Sequence, residues 1–444
     1  MTFRTAKLFA RLVLRARAVR GRLCAMFRSF RKSLFPVLFA VASGLLAESR
    51  GADIRIVGKA NPADKQTVSF SRLRSDDSPA AREFLATLRN DLLLSGWFVP
   101  VDAESASVQL SGSVTGSASG ANAAFRALWA GGTRQRDWSR AASGDFVRDA
   151  AHEVADGMVS AIAGERPMAS SKIAFVGRRG GKTDVYECDA DGRRVRQITS
   201  GGHLCLSPNW EPRVHSFLYT SWASGLPAVW RVDLARNKQR KLCAYPGMNL
   251  GATASPADGR VAVVLSRSGP VDLYLVDGSN GRILDRLTNS RDASESSPSW
   301  SPDGRSLVYV SDAGGVPRLY AMSPASKTPR RLVYASSIRE NVAPEWGISG
   351  EIVFCGRSGG RYGVYVIDPS RDARTSTPAK ISPDDGADYE DPSWAPDGRH
   401  VVCTRTQGRR RSLVVLDAKG DAPRKLFDLQ GDWYLPSWSD NLRP

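Results

Sequence analysis

From about residue 172 onward, hydrophobic positions recur in short alternating runs separated by turn residues. The stretch from 298 to 333 shows the unit most clearly. Ser301-Pro302-Asp303-Gly304 is a turn, in which Pro302 presets φ and Asp303 and Gly304 suit its end. The run SLVYVS (306–311) after it alternates and is rich in β-formers, RLYAMS (318–323) follows, and PRRLV (329–333) closes the unit. With the Pro-x-Trp strand before the turn, this predicts four short strands in about 45 residues and leaves no room for crossover helices. A sheet of this kind is apolar on both faces and must stack on neighbours, so repeated units close radially into a propeller.

Pro-x-Trp marks each repeat: Pro208/Trp210, Pro298/Trp300, Pro344/Trp346, Pro392/Trp394 and Pro436/Trp438. A degenerate copy has Ala254 in the Trp position, and spacings along the series are 44, 46, 46, 48 and 44 residues. A second landmark, an aromatic followed three residues on by Asp, appears at Tyr186/Asp189, Trp230/Asp233, Tyr274/Asp277 and Tyr365/Asp368. Weaker copies are Tyr320 with Ser323 and Val414 with Asp417. The count predicts six blades. The first, starting near Lys172, lacks its own Pro-x-Trp strand, and LPSWS (435–439) is spare. The last strand is therefore expected to complete the first blade, and deleting residues 433–444 to open an edge.

Ahead of the repeats, residues 48–165 read as a small α/β domain, with 164–171 as a linker. IRIVG (54–58), WFVPV (97–101) and SVQLSGSV (107–114) read as strands. Ser78 is an N-cap, Pro79 suits the first helical position and Gly96 ends the helix. Phe84, Leu85, Leu88, Leu92 and Leu93 are expected on its buried face. A second helix from about Asp145 to Ala163 carries the apolar stripe Val147, Ala151, Val154, Met158 and Ile162. The fold class expected is mainly β, a six-bladed β-propeller (172–444) preceded by a small α/β domain.

The N-terminus reads as an export signal. SLFPVLFAVASGLLA (33–47) is uncharged and apolar, follows Arg28, Arg31 and Lys32, and ends on the small residue Ala47. It is short for a membrane span, which needs about 20 apolar residues. Counted from Met26 the signal has ordinary proportions, which points to a translation start there; an uncleaved anchor is the alternative. No Cys follows closely, which argues against a lipoprotein.

The net charge of +17 would suggest nucleic acid. Ten of the basic residues lie in 1–47, where there is no acid, leaving +7 for the rest. Beyond the N-terminus no basic block is interleaved with aromatics, and Arg409, Arg410 and Arg411 form a hairpin tip, so no nucleic-acid partner is expected. Of the six Cys, five follow residue 47: Cys188, Cys205, Cys243, Cys355 and Cys403. None forms a CxxC pair. Four lie in or beside expected strands, where Cys packs as a small apolar residue, and one disulfide remains open.

Catalytic chemistry is not suggested. His152, His203, His215 and His400 have no ligand spacing, so no metal and no cofactor are expected. Gly356-Arg-Ser358-Gly-Gly360 fits GxSxG in form, but it lies in a strand–strand hairpin and not at a nucleophile elbow. DADG (189–192) has the start of a calcium loop without its later ligands and reads as a hairpin turn. Asp384, Asp385, Asp388, Glu390 and Asp391 are the best group for a cation or basic partner, with a solvated loop as the alternative.

Pro-x-Trp-Ser-Pro-Asp-Gly-Arg at 298–305, and with one Ala at 392–399, resembles the propeller repeats of the TolB family. LLLSGWFVPVD (92–102) is similar to that family's small domain, and HEVADGMVSAIAGERPMASSKIAFV (152–176) to its link into the first blade. The resemblance spans the chain after about residue 50. It implies a periplasmic, monomeric, non-enzymatic adaptor of the Tol-Pal system, serving outer-membrane integrity, division and protein transport. The implied partners are a Pal-like peptidoglycan-associated lipoprotein, bound by loops leading into the Pro-x-Trp strands, and a TolA-like inner-membrane protein, bound by the N-terminal segment. The Pal-type face would comprise Met248, Asn249, Glu295, Ser296, Asn341, Tyr389, Glu390, Trp433 and Tyr434; the TolA-type segment, Asp53, Ile54, Arg55 and Ile56. Met248 falls where the family often has His, which puts that pairwise contact in doubt. On this reading, changing Trp433 and Tyr434 together to Ala should weaken Pal binding without unfolding the ring. The competing reading is a propeller using its channel as an enzyme or as a sugar or small-ligand binder. That would need converging polar groups at the mouth, and no His cluster or matched carboxylate pair recurs across the blades.

Overall fold

The computed structural model describes residues 65–117, 120–132, 134–267 and 269–442. The signal segment, the IRIVG strand and the segment Asp53 to Ile56 lie outside them.

The first layer is a five-stranded sheet in the order β2-β1-β3-β4-β5. Its strands are β1 (Gln66–Ser75), β2 (Phe98–Val101), β3 (Val108–Ser117), β4 (Gly120–Trp129) and β5 (Gln135–Ser143). β1 runs parallel to β2 and β3, and β3 to β5 form an antiparallel meander. Helix α1 (Pro79–Leu94) starts at Ser78, whose hydroxyl accepts from the Ala81 amide at 3.2 Å. It lays Phe84, Leu88 and Leu92 on the sheet. Leu93 departs from the expected face and is 52% exposed, because it lies beyond the arc that meets the sheet. Helix α2 (Val147–Met158) continues as a wider turn over Val159–Ala163 and stops at Gly164, whose φ is +72°. Val147, Ala151, Val154, Met158 and Ile162 are all buried along it. No helix among the described residues is long and apolar enough to cross a membrane.

Six four-stranded sheets follow. Blade 1 is formed by Lys172–Arg179, Lys182–Asp189 and Arg196–Gln197, with Asp432–Trp438 as its inner strand. The inner strands of blades 2 to 6 are Cys205–Trp210, Asn249–Ala254, Glu295–Trp300, Glu340–Trp346 and Asp388–Trp394. The ring thus closes by pairing Trp438 with Ile173 and Trp433 with Gly177. Apolar side chains of adjacent blades fill the gaps between them; Val353 and Val364 of blade 5, for example, pack with Trp394 and Cys403 of blade 6. All five described cysteines lie in strands, buried and unpaired. The GxSxG run is the hairpin between Ile352–Ser358 and Arg361–Ile367.

The small domain rests on one face of the ring, at blades 1 and 6. His152 of α2 places Nδ1 2.6 Å from Asp91 of α1 and Nε2 3.4 Å from Asp189 of blade 1. Asp189 also accepts from Lys172 at 2.6 Å and Arg194 at 2.7 Å, and Arg148 reaches Asp191. At blade 6, Trp97 stacks under the Arg399 guanidinium, 4.7 Å from its ring centroid. Gly96 lets that group approach, since a Cβ there would lie 2.5 Å from the Arg399 Cζ. Arg399 in turn donates to Asp417 at 2.6 Å. Buried ion pairs of this kind add little net stability but fix register, because any other seating leaves charges unpaired.

Candidate partner-binding face

The six inner strands share one distortion. Three residues before each Trp position the backbone enters the left-handed region: Ser207 (φ 51°), Gly251 (53°), Ser297 (50°), Ala343 (48°), Asp391 (52°) and Leu435 (52°). Two inner-strand residues there oppose one on the neighbouring strand, so each is a β-bulge. An L-residue in this conformation costs about 1–2 kcal/mol, and its recurrence around the ring makes it a property of the architecture. The bulge bends each inner strand and sets apart a first half, just upstream, at one mouth of the ring.

Below the bulges the blades are tied together. At four of the six junctions the residue before the Trp position reaches the next blade; in three it is a serine: the Trp210 amide donates to Ser437 Oγ at 3.2 Å, Trp346 to Ser299 Oγ at 3.0 Å and Trp438 to Ser393 Oγ at 2.9 Å. Between blades 5 and 6 the serine is replaced by Glu345, whose Oε1 accepts from the Trp394 amide at 2.8 Å and from Ser393 Oγ at 3.1 Å. Burial pushes this carboxyl up to about 7.

Above the bulges, five residues before each Trp position, stand Cys205, Asn249, Glu295, Asn341, Tyr389 and Trp433, each 3% exposed or less. Five of these were singled out from sequence; Cys205, at the same register, was missed. Ser296, Glu390 and Tyr434 stand one residue further on, with Leu206, Leu250 and Val342 as their unrecognised counterparts, and Met248 is one residue before Asn249. The structure brings the nine residues to one mouth but turns most of their side chains inward; only Ser296 is half-buried, and Met248, Glu390 and Tyr434 are buried.

Six of the nine have a local reason. Asn249 closes its own loop, donating to the Tyr245 carbonyl at 2.7 Å and accepting from the Tyr245 amide at 2.8 Å. Glu295 accepts from Ser290 at 3.0 Å and Ser311 at 3.1 Å, and burial raises its carboxyl. Burial likewise pushes Glu390 up to about 7. Tyr389 donates to Asp385 at 2.9 Å. Trp433 sits among Phe175, Tyr186 and Phe427 at centroid distances of 5.3–5.6 Å and donates to the Leu429 carbonyl at 3.0 Å. Gly177 makes room for it, as a Cβ would lie 2.4 Å from the indole. Tyr434 lies under the Arg411 guanidinium, 3.6 Å from its centroid. The expected binding-only effect of changing Trp433 and Tyr434 to Ala is therefore corrected: removing Trp433 empties the aromatic core of blade 1.

The surface this mouth offers is charged. Arg357 pairs with Glu340 at 2.7 Å, Arg405 with Asp385 at 2.7 Å, Arg361 with Asp388 at 4.0 Å, and Arg411 with Asp432. Lys380 holds Asp384, and Asp391 lies 3.5 Å from the Thr404 hydroxyl. The acidic group at 384–391 is thus distributed among basic and hydroxyl partners and does not form one cation cage. Hairpin tips with Arg361, Arg409 and Arg410 surround it.

On the opposite face, His152, Asp189 and Asp191 bring ligand-type atoms within 4.8 Å of one another. Lys172, Arg194 and Arg148 already engage the two carboxylates, and although burial opposes its charge, Asp91 and Asp189 hold His152 up at about 9. The group is an ion-paired junction between domains. No sequence spacing signals it, because His152 and Asp189 stand 37 residues apart in different domains.

Ring, bulges and docked layer define a closed six-bladed β-propeller carried behind a small α/β domain. The family model described as the TolB beta propeller domain matches residues 159–442, and the chain belongs to that family. The chain is 30% identical over 300 residues to the Protein TolB homolog of Chlorobium luteolum, covering 66% of each. It is 26% identical over 297 residues to the Tol-Pal system protein TolB of Bordetella pertussis, covering 67% of this chain and 66% of that one. The match spans just under two thirds of the length of these relatives. The crystal structure of TolB from Acinetobacter baumannii shares the fold, with a TM-score of 0.73 at 22% identity over 86% of this chain and 98% of that one.

Proposed function

We propose that this protein is a non-enzymatic, periplasmic adaptor of the Tol-Pal type, working as a monomer in outer-membrane integrity and division. Its mouth of bulged strands binds a Pal-like peptidoglycan-associated lipoprotein, and its N-terminal segment, including Asp53 to Ile56, meets a TolA-like inner-membrane protein. The match to the TolB propeller family across residues 159–442 carries the reading. The geometry supports it: among the described residues, the carboxylates of this face are engaged by basic or hydroxyl partners that shape a surface, and none stands as the base of a nucleophile.

Partner contact then belongs to the rim and not to the buried ring beneath it, because affinity follows accessible, desolvatable groups. Cross-linked pull-down of the mature protein from native envelopes should recover an OmpA-like lipoprotein. Changing Arg339, which is exposed at the mouth immediately before the inner strand Glu340–Trp346, and Arg361 together to Glu should weaken that capture about tenfold or more with an unchanged melting temperature. Arg305→Glu, on the opposite face and 87% exposed, should not. Recovery of only unrelated proteins, or equal loss from both variants, would overturn the reading.

A further inference from the structure

Beside the junction between the small domain and the ring lies a cleft of about 2190 Å³, bounded by β5 and α2 on one side and blade 2 on the other. It opens on the face opposite the proposed lipoprotein mouth. Small-molecule pockets run to about 1,000 Å³, so the cleft is sized for a polypeptide segment.

Its two walls are sheet edges. β5 ends the order β2-β1-β3-β4-β5 and pairs with β4 in unbroken register from Gln135 to Ser143, and among the described residues no strand lies on its other side. The outer strand of blade 2, Lys238–Cys243, ends its own sheet and lines the cleft through Lys238, Gln239 and Arg240. Natural edges are blunted by charged side chains, proline, a bulge or early termination. β5 has neither proline nor bulge over its 9 residues, nearly all of it is exposed, and its protection is the charge of Arg136, Asp137 and Arg140, which an oppositely charged strand would meet and not be repelled by.

The charge of the cleft is uneven. Its acids are engaged: Glu153 by Arg140 at 3.0 Å, Glu211 by Arg231 at 2.5 Å, Asp233 by Arg236 at 2.8 Å, Asp149 by Arg194, and Asp156 by the Ala169 and Ser170 amides at 2.7 and 3.1 Å. Among the described residues no carboxylate side chain pairs with the side chains of Arg136, Arg213, Lys238 or Arg240, which also line it. Phe146, 66% exposed, and Val214, 49% exposed, present apolar surface from opposite walls. We propose that this cleft docks an extended, acidic peptide of a partner protein, added as a sixth strand on β5. Backbone pairing would supply affinity, and alternate acidic and apolar side chains would meet the unpaired cations and the two apolar walls. The chain's own preceding stretch, Glu48 to Asp64, carries three acids and three basic residues and does not match this charge.

The probe is a fluorescein-labelled ten-residue peptide alternating Glu and Val, titrated into the mature protein and followed by anisotropy. Saturable binding is expected, falling about tenfold or more when Arg136 and Lys238 are both changed to Glu at unchanged melting temperature. N-methylating alternate amides along one edge of the peptide should abolish it, and a Lys-Val peptide should not bind. Hydrogen exchange of residues 135–143 should slow on adding the peptide. The proposal is overturned by no saturable binding, by equal binding of the Lys-Val peptide, or by loss of binding in Arg409→Glu with Arg410→Glu instead. Exchange at 135–143 that is already slow and unaffected by peptide would mean that the chain's own residues fill the cleft, and would overturn it equally.

Discussion

Glu345 shows how a single residue sets the behaviour of a blade junction. Three other junctions place serine where it stands, and a hydroxyl has no charge to lose. The glutamate takes both hydrogen bonds on one oxygen, as a neutral acid can, and its carboxyl is pushed from an ordinary 4.5 up to about 7 by burial. The folded state therefore holds the proton more tightly than the unfolded chain. Its contribution is fully present below pH 4.5 and is lost as pH rises through about 7. Glu345→Gln should flatten stability over that window and leave the variant more stable than the parent by ~1–3 kcal/mol at pH 8. Urea melts at pH 5 and pH 8 measure this directly; a parent that gains stability between them would exclude it. Trp433 teaches the complementary lesson at this scale. An aromatic next to an expected loop suggested an interface anchor, and the structure makes it the centre of an aromatic cluster.

At the scale of elements, the bulged inner strand is the recurring device. Gly251 is the one bulge residue that meets the left-handed conformation without a side chain, and a Cβ there would touch only Val264, at an ordinary 3.5 Å. Gly251→Ala should therefore cost about 1 kcal/mol from backbone strain alone, partly offset by a less flexible unfolded chain. Ala343→Gly should go the other way by a smaller amount. Thermal melting of both variants tests this, and stabilisation by Gly251→Ala would contradict it. The same device explains what was legible from sequence. Pro-x-Trp, SPDG and alternating runs such as LVYVS expose blade count and strand type, because turn chemistry and period-2 burial act within a few residues. The bulge leaves no such mark, since Ser, Gly, Ala, Asp and Leu all occupy it. An inner strand that begins five or six residues before its Trp position was therefore read as a rim loop, and Asn249, Glu295, Asn341, Tyr389 and Trp433 were expected on the surface. In the small domain, β4 and β5 escaped notice for a related reason. GANAAFRALW alternates in burial but is so rich in Ala that the hydrophobic contrast between its faces is weak, and QRDWSRAAS is almost wholly exposed.

At the scale of the whole molecule, two seams decide integrity. One is the ion-paired junction of His152, Asp189 and Asp191 with their basic neighbours, which holds the small domain against blade 1. The other is the closure of blade 1 by Asp432–Trp438. Removing residues 433–444 should strip blade 1 of its inner strand, empty the site of Trp433 and lower the melting temperature by well over 4 °C, since losing one buried Trp alone costs about 3–5 kcal/mol. A truncated chain melting with the full-length one would show that the ring does not depend on this seam.

That closing seam also fixes an order of events. The Lys172 amide finds its partner, the Ser439 hydroxyl, 267 residues later in the chain. Contacts so distant form late, because their loop entropy must be met before they contribute. Each of the other blades is continuous in sequence and can pair its strands as it emerges, whereas blade 1, the first to appear, must wait for the last. A chain whose last residues had not yet emerged would therefore hold an open arc of sheets, and the mouth proposed above as the partner-binding face would come into being only once the final strand had arrived. On that proposal, synthesis would have to be complete before recognition could begin.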